Sequence, residues 1–530
     1  MPSIVEDLGS NYAYVWIANA YFLTTTALQP LYGQTANIMG RRFLILSAVF
    51  LFAAGSAISG AAPSLGVLIT GRAIQGIGGG GINVLVNIIV ADLVPLRERP
   101  RYVGIIFIFS TIPVVLGPVF GGLLAERISW RWIFYINLPI SAVAWAMLAL
   151  FLKVKHVKDS ARNSLKRVDL GGNALLVASV TSVLLALTWG GVEFPWSSWR
   201  TLLPLILGLA GLGAFAAVES TTMILEPTMP PRLFSNRTSA GGFAIAMLHS
   251  MLMYSLTYFL PVYFQGVLGT GVINSGVNLL PLASSAMPFA ILAAIGVSKF
   301  GRYRPWFFVG AVFYSVCFGS FTLLDRNSST AFWAGMQCIG GAAAGVLTTT
   351  TLPSIQAPLA EADQAVATAI WAFVRSFGAI WGVAIPAAVF NSRINELVAS
   401  IDDVRIQTLL SNGGAYAMAS IGGLTASQDW SPEVIDQVRV IYVDSLRRCW
   451  EVGIALSLLI FLLSFLVKEV SLRTELETNF GMEDNKRPAK QKQVNGLSLE
   501  AAQVQRVPLK GLPQTTQQEK STISQVLPPN

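Results

Sequence analysis

Leu116-Gly117-Pro118-Val119-Phe120-Gly121-Gly122 lies inside one long apolar stretch, a helix breaker flanked by glycines where a lipid-embedded helix would normally carry leucine. Soluble cores rarely tolerate that arrangement. A membrane helix can, because neighbouring helices re-satisfy the carbonyl that proline orphans, and glycines four apart let another backbone approach closely. The stretch therefore predicts a bent, tightly packed transmembrane helix.

The rest of the chain has the composition to match. Of 530 residues, 53% are hydrophobic and only 12% are charged, with a mean hydropathy of +0.59; soluble domains carry about 25% charged residues. The charges collect between apolar runs of roughly 18 to 26 residues, about the length that crosses a ~30 Å hydrocarbon core. About thirteen such runs can be read: Tyr14 to Tyr32, Phe43 to Ala62, Leu65 to Ala91, Tyr102 to Ala125, Ile133 to Leu152, Leu170 to Gly190, Thr201 to Val218, Ala240 to Val267, Val277 to Val297, Trp306 to Leu324, Phe332 to Pro353, Ala365 to Phe390 and Cys449 to Val467. The expected fold class is an all-α integral membrane protein.

A net charge of +8 would suit a nucleic-acid partner if it formed one patch, but the basic residues fall where membrane topology puts them. Arg41 and Arg42 follow the first run, and Arg97, Arg99 and Arg101 the third. Lys153, Lys155, Lys158, Arg162, Lys166 and Arg167 follow the fifth, Arg232 and Arg237 the seventh, and Lys299, Arg302 and Arg304 the ninth. Every second loop is basic. The intervening loops hold few basic residues, namely Arg127, Arg131, Arg200 and Arg326, up to the segment after Phe390. The positive-inside rule makes the basic set cytosolic, with the tail after Lys468 inside and Met1 outside. An odd number of spans beginning outside leaves the family-independent expectation that a first helix, before Met1-Pro2-Ser3-Ile4-Val5, is missing.

Cys317, Cys338 and Cys449 fall in or beside spans and read as packing residues, neither a disulfide framework nor a metal site. His156 and His249 lack partners at ligand spacing. No cofactor, metal or catalytic cluster is expected. Residues 391–448 read as a long extracellular loop with short helix, and 468–530 as a disordered cytosolic tail rich in Gln, Lys, Ser, Thr and Pro. Asn327-Ser328-Ser329, in an outside loop, is a glycosylation candidate.

Within the spans the costly residues are the informative ones. Arg72 sits inside the third run, where a charge costs about 2.5 to 3.5 kcal/mol on insertion scales and must face protein or a watery cavity. Gln75 lies one turn on, and Gly76 and Gly80 permit close helix approach. Asp92, just past the end of the same run, reads either as a member of a salt-bridge cluster or as a plain interfacial acid. Arg375 is the other buried cation, beside Trp371 and ahead of the small pair Gly378 and Gly382. With Gln75, Asn83 and Asn87, Trp371 and Arg375 are candidates for a cavity suited to bulky amphiphilic organics.

Gly33-Gln34-Thr35-Ala36-Asn37-Ile38-Met39-Gly40-Arg41-Arg42, between two spans, resembles the signature cytosolic loop of the major facilitator superfamily. Leu68, Arg72, Gln75, Gly76 and Gly78 resemble that family's arginine motif, implicated there in proton coupling, and Gly117-Pro118 with Gly121-Gly122 its antiporter motif. Trp130-Arg131-Trp132-Ile133-Phe134-Tyr135-Ile136-Asn137-Leu138-Pro139 is similar to a stretch of the drug:proton antiporters with fourteen spans. The resemblance covers nearly all of Met1 to Val467. It implies two six-helix bundles rocking about a central cavity with two helices inserted between them: an incomplete N-terminal bundle over 1–152, a basic loop and the inserted pair over 153–218, and a C-terminal bundle over 219–467.

The resemblance further implies that Gly33, Asn37, Gly40, Arg41, Arg42, Arg72 and Asp92 take part in gating or proton coupling. Asn37 departs from the pattern, which has an acid there. The implied function is efflux: a proton moving inward is exchanged for a small amphiphilic compound, a drug or a secondary-metabolite toxin, moving outward across the cell membrane or a vacuolar or vesicular one. The implied partners are that compound, protons and the lipid bilayer; no nucleic acid is expected, and a monomer suffices. The alternatives are an importer or facilitator of a siderophore, sugar or amino acid, whose dense hydrogen-bonding the spans supply poorly, and a transporter-like receptor that binds without moving its ligand. An enzyme is not expected.

Overall fold

The computed structural model describes residues 15–154, 167–191, 194–221, 224, 226–411, 413–420 and 430–475. These are almost entirely helical, as lipid demands, since a backbone in hydrocarbon must satisfy its own hydrogen bonds. The helices are α1 (Val15–Ala27), α2 (Gln29–Met39), α3 (Arg41–Gly60), α4 (Leu65–Leu93), α5 (Arg99–Arg127), α6 (Trp132–Tyr135), α7 (Asn137–Phe151), α8 (Leu170–Trp189) and α9 (Trp199–Glu219). After them come α10 (Arg237–Gly266), α11 (Val272–Val277), α12 (Leu280–Phe300), α13 (Arg304–Phe321), α14 (Thr330–Gln356), α15 (Gln364–Leu397), α16 (Val404–Leu410), α17 (Gly414–Ser420) and α18 (Pro432–Leu466).

Among the described residues, ten stretches are long and apolar enough to cross a membrane. The three remaining apolar runs fall on α1–α2, α5 and α13, so each run of the sequence has its helix. The chain is a multi-pass membrane protein. Its outward surface carries Phe43, Phe50, Phe109, Phe151, Leu462 and other large apolar side chains that only lipid would solvate favourably.

Helix starts are written locally. Asp169, Ser198, Asn236, Ser329 and Ser431 each accept a backbone N–H of the first turn of α8, α9, α10, α14 and α18. Gly40, at φ 87°, turns the chain between α2 and α3 in a conformation that a side chain would strain.

Packing then follows small residues. On the N-terminal side α4 packs on α1 and α3; a Cβ on Gly76 or Gly80 would meet the carbonyl oxygen of Tyr21 or Thr25 on α1, which is the close approach expected there. On the C-terminal side α10 packs on α15 and α18, and α14 on α12 and α13. Gly378 and Gly382 of α15 lie against the Met247 and Met251 carbonyls of α10. The pair α8–α9 packs on itself, and α8 also reaches α1 and α15. Between the two sides, α2 and α4 touch α15, and α5 touches α12 and α14.

Three expectations are corrected. The presumed loop 391–448 is in part membrane-helix extension: α15 runs on to Leu397 and α18 begins at Pro432. Lys468–Arg473, read as the start of a disordered tail, is pinned, with the Tyr303 hydroxyl donating to Lys468 O at 2.7 Å and Arg473 Nη2 to Leu359 O at 2.7 Å. Finally, α5 is helical through Gly117-Pro118, but a Cβ on Gly117 would meet nothing within 4 Å, so no described residue uses that glycine for close approach. The side chains of Pro118, Gly121 and Gly122, the loop around His156 and the chain from 476 on lie outside the described residues.

Gly382→Leu drives a side chain into the Met251 backbone, only 2.3 Å from where its Cβ would stand, and is expected to destabilise by about 1–3 kcal/mol. Gly319→Ala, with open space at its Cβ, gains up to ~1 kcal/mol of helix propensity. Thermal unfolding of the two purified variants should therefore shift in opposite directions.

Candidate functional site

The described parts of the basic loops meet at one end of the helix bundle, and there several arginines are paired with acids. The Gly40 turn sets Arg41 pointing inward, 3% exposed. Its Nε donates to Asp92 Oδ2 at 2.8 Å, Nη1 to Ala36 O at 2.7 Å and Nη2 to Asn37 Oδ1 at 3.0 Å. Asn37 thus keeps the hydrogen bond that an acid would make, without the charge. Arg42 leaves in the other direction, to Ala149 O at 2.6 Å. Gly33 permits α2 to touch α15, where its Cβ would stand 2.3 Å from that of Ala369.

A second arginine joins the two sides of the molecule. Arg99, 2% exposed, gives Nε to Val94 O (2.9 Å), Nη1 to Gln356 Oε1 (3.0 Å) and Gln364 Oε1 (2.8 Å), and Nη2 to Ala91 O (2.6 Å) and Glu361 Oε1 (3.0 Å). A guanidinium has five N–H donors, and all are used. Glu361 also pairs with Arg473 at 3.3 Å, whose carbonyl accepts Arg97 N at 3.1 Å. Arg97 reaches Ser298 O and Lys299 O across the same seam, at 2.9 and 2.8 Å. Arg232 forks onto Asp363, and this carboxylate holds the guanidinium above its usual pKa. These bonds tie the two sides of the molecule together at the basic end.

A polar network anchors α8 and α9 at that end. Gln34 Nε2 donates to Glu226 O at 2.5 Å, Asn173 Nδ2 to Gln34 Oε1 at 3.0 Å and to Thr228 Oγ1 at 2.8 Å, and the Glu219 carboxylate accepts the N–H groups of Thr228 and Met229.

The interior is different. Arg72 Nε donates to Ile17 O at 2.9 Å and Nη1 to Gln75 Oε1 at 2.7 Å; Gln75 passes the chain to Ser56 Oγ at 2.8 Å. The Arg72 guanidinium lies 4.3 Å from the centroid of the Tyr21 ring. Arg375 lies 4.6 Å from the centroid of Trp371, whose indole N–H donates to Thr351 Oγ1 at 3.0 Å. Buried His249 sits between Tyr314 and Thr348, with 3.0 Å from each ring nitrogen to a hydroxyl. Asn87 is buried and donates to Asn83 O at 2.8 Å, while Asn83 is exposed. Asn327 is exposed in the loop after α13, its N–H given to Asp325 Oδ1.

The candidates therefore separate into two groups: Gly33, Asn37, Gly40, Arg41 and Asp92 at the basic end, and Arg72, Gln75, Trp371 and Arg375 inside. A groove of about 830 Å³ lined by Trp196, Arg393, Glu396, Arg448 and Glu451 opens beside the later turns of α15, away from Arg375, and belongs to neither. Sequence reading missed Arg99, Glu361, Asp363 and Gln364. A cation in a basic loop looks solvated until the fold brings its partners from more than 250 residues away.

A model of the major facilitator superfamily matches residues 1–383. The efflux pump FUS6 of Gibberella fujikuroi is 47% identical over 487 residues, 92% of this chain and 88% of that protein. The MFS-type efflux pump LUC4 of a Fusarium species is 47% identical, covering 91% of this chain and 86% of its own length, and the acurin A biosynthesis cluster MFS-type transporter of Aspergillus aculeatus 46%, covering 91% and 87%. Among solved structures, the human organic anion transporter MFSD10 resembles the chain in fold, with a TM-score of 0.50 at 16% identity over 85% of this chain and 83% of that one.

Asp92→Ala removes the carboxylate that buried Arg41 pairs with and should cost about 3–5 kcal/mol of stability. Removing exposed Arg326 from its pair with Asp436 should leave the unfolding temperature unchanged. Thermal unfolding in detergent checks both.

Proposed function

The chain belongs to the major facilitator superfamily, and from that premise we propose that it exports small amphiphilic compounds of secondary metabolism, by exchange for protons. It is a transporter rather than an enzyme: cargo passes through without covalent change. The observation that carries this reading is the contrast between the closed, charge-tied basic end and the partly exposed cations and aromatic rings above it. With the basic end cytosolic, the molecule is shut toward the cytosol, the state from which an exporter releases its cargo outward. The relatives named as efflux pumps support that direction.

Reopening must break Arg99 and Arg97 from the C-terminal side together, because both span the same seam. Arg41 and Asp92 need not separate, since both lie on the N-terminal side; their pair keeps α3 and α4 moving as one piece. Protons enter the cycle through groups whose charge changes the balance between the two states. Arg72, hydrogen-bonded to Gln75 rather than to a carboxylate, is the group on the N-terminal side that such a change would act on.

Purified protein in liposomes, with an acidic lumen standing for the cell exterior, tests the proposal. A lumen-acid gradient is expected to raise uptake of an amphiphilic dye several-fold over protein-free liposomes, and a protonophore to abolish the rise. Uptake indifferent to the gradient contradicts proton exchange; no uptake contradicts export.

A further inference from the structure

The two interior cations, Arg72 and Arg375, are linked through a pair of tyrosines. Arg72 stacks on Tyr21 of α1, Tyr21 lies within electrostatic range of Tyr254 of α10, and Tyr254 within range of Arg375 of α15. Neither Arg72 nor Arg375 forms an ion pair with any described carboxylate. This is unlike the interior-facing arginines at the basic end, Arg41 and Arg99, each matched to an acid.

Arg375 is the less satisfied of the two. Its Nε is buried with no hydrogen-bond partner, and the guanidinium makes no hydrogen bond to a described residue. Its neighbours are a ring face, Trp371, and His249, Tyr314 and Tyr254, which lie within electrostatic range of it. None of them neutralises it. A ring face offers a cation far less than water or a carboxylate does, so the position is costly as a purely structural one. The residue is only partly buried, which leaves its remaining surface open to a small molecule.

We propose that Arg375 is the anion-recognition residue of the cargo site, and that the preferred cargo is an amphiphile carrying a carboxylate or a comparably acidic oxygen. This rests on the export reading above and narrows it. The acid accepts the Nε–H and a neighbouring Nη–H in the forked geometry that suits an oxyanion. The apolar body of the cargo lies along the ring face of Trp371. The charge that this chain omits beside Arg375 is supplied by the molecule it carries. Such a cargo also suits the energetics: an anion leaving the cell and a proton entering it move charge in the same direction, so an inside-negative membrane potential assists both.

Matched carboxylate and amide pairs on pyrenyl, naphthyl and decyl bodies test this in liposomes holding the full chain. The wild-type protein is expected to carry each carboxylate at least ~10-fold faster than its amide, the discrimination available to a charge-assisted pair worth about 1.4 kcal/mol. Arg375→Gln should erase the preference while still carrying the amides, and Arg375→Lys should retain part of it. Should Arg375→Gln prove unfolded, phenylglyoxal modification of the wild-type chain, read by peptide mass spectrometry, decides the matter: carboxylates, not amides, should protect Arg375. Equal rates for acid and amide, full preference in a folded Arg375→Gln, or no protection overturns the anion site while leaving export standing. Transport of neither compound by the wild-type protein contradicts export itself.

Discussion

The closed state depends on one buried guanidinium. Arg99 starts α5, and its five donors are taken by the last turn of α4, by the loop that follows it, and by Gln356, Glu361 and Gln364 at the junction of α14 and α15. A charge so thoroughly removed from water is tolerable only when every donor is satisfied and an acid is near. That requirement fixes the ends of four membrane helices, α4, α5, α14 and α15, relative to each other. It also makes the contact cooperative, since partial withdrawal would strand several desolvated groups at once. On the proposed mechanism the seam switches between two arrangements rather than along a continuum.

Charge is distributed along the molecule in keeping with this. At the basic end each buried arginine has its carboxylate, so the structure is self-sufficient there and the pairs act as fasteners. In the interior Arg72 and Arg375 are held by carbonyls, amides and ring faces. On the proposed mechanism these unsatisfied charges are where protons and cargo exert their influence, and the fasteners are what that influence must release.

Much of this was legible in the sequence. Lipid imposes a length and an apolarity that only a helix answers, so the thirteen apolar runs became helices. Arg72 and Arg375 stood out because a cation within such a run is an anomaly that demands an explanation. The start of α18 at Pro432 was hidden because its first half, outside the apolar run, is polar and so looks like loop. Arg99 was hidden for the opposite reason: among Arg97, Glu98 and Arg101 it looks like ordinary loop charge, and only tertiary contact distinguishes the one that is buried. Gly117 shows that a small-residue motif announces the capacity for close approach, not the presence of the partner.

The central claim is that Arg99 holds the cytosolic face shut. Ala369, fully buried where α15 meets α2, reports on that face as a single cysteine in a chain lacking Cys317, Cys338 and Cys449. Its labelling by a membrane-impermeant thiol reagent from the cytosolic side should be slow in that background and at least ~10-fold faster after Arg99→Gln, a shift of about 1.4 kcal/mol toward the open face. Equal labelling with and without Arg99→Gln, in folded protein, would contradict it.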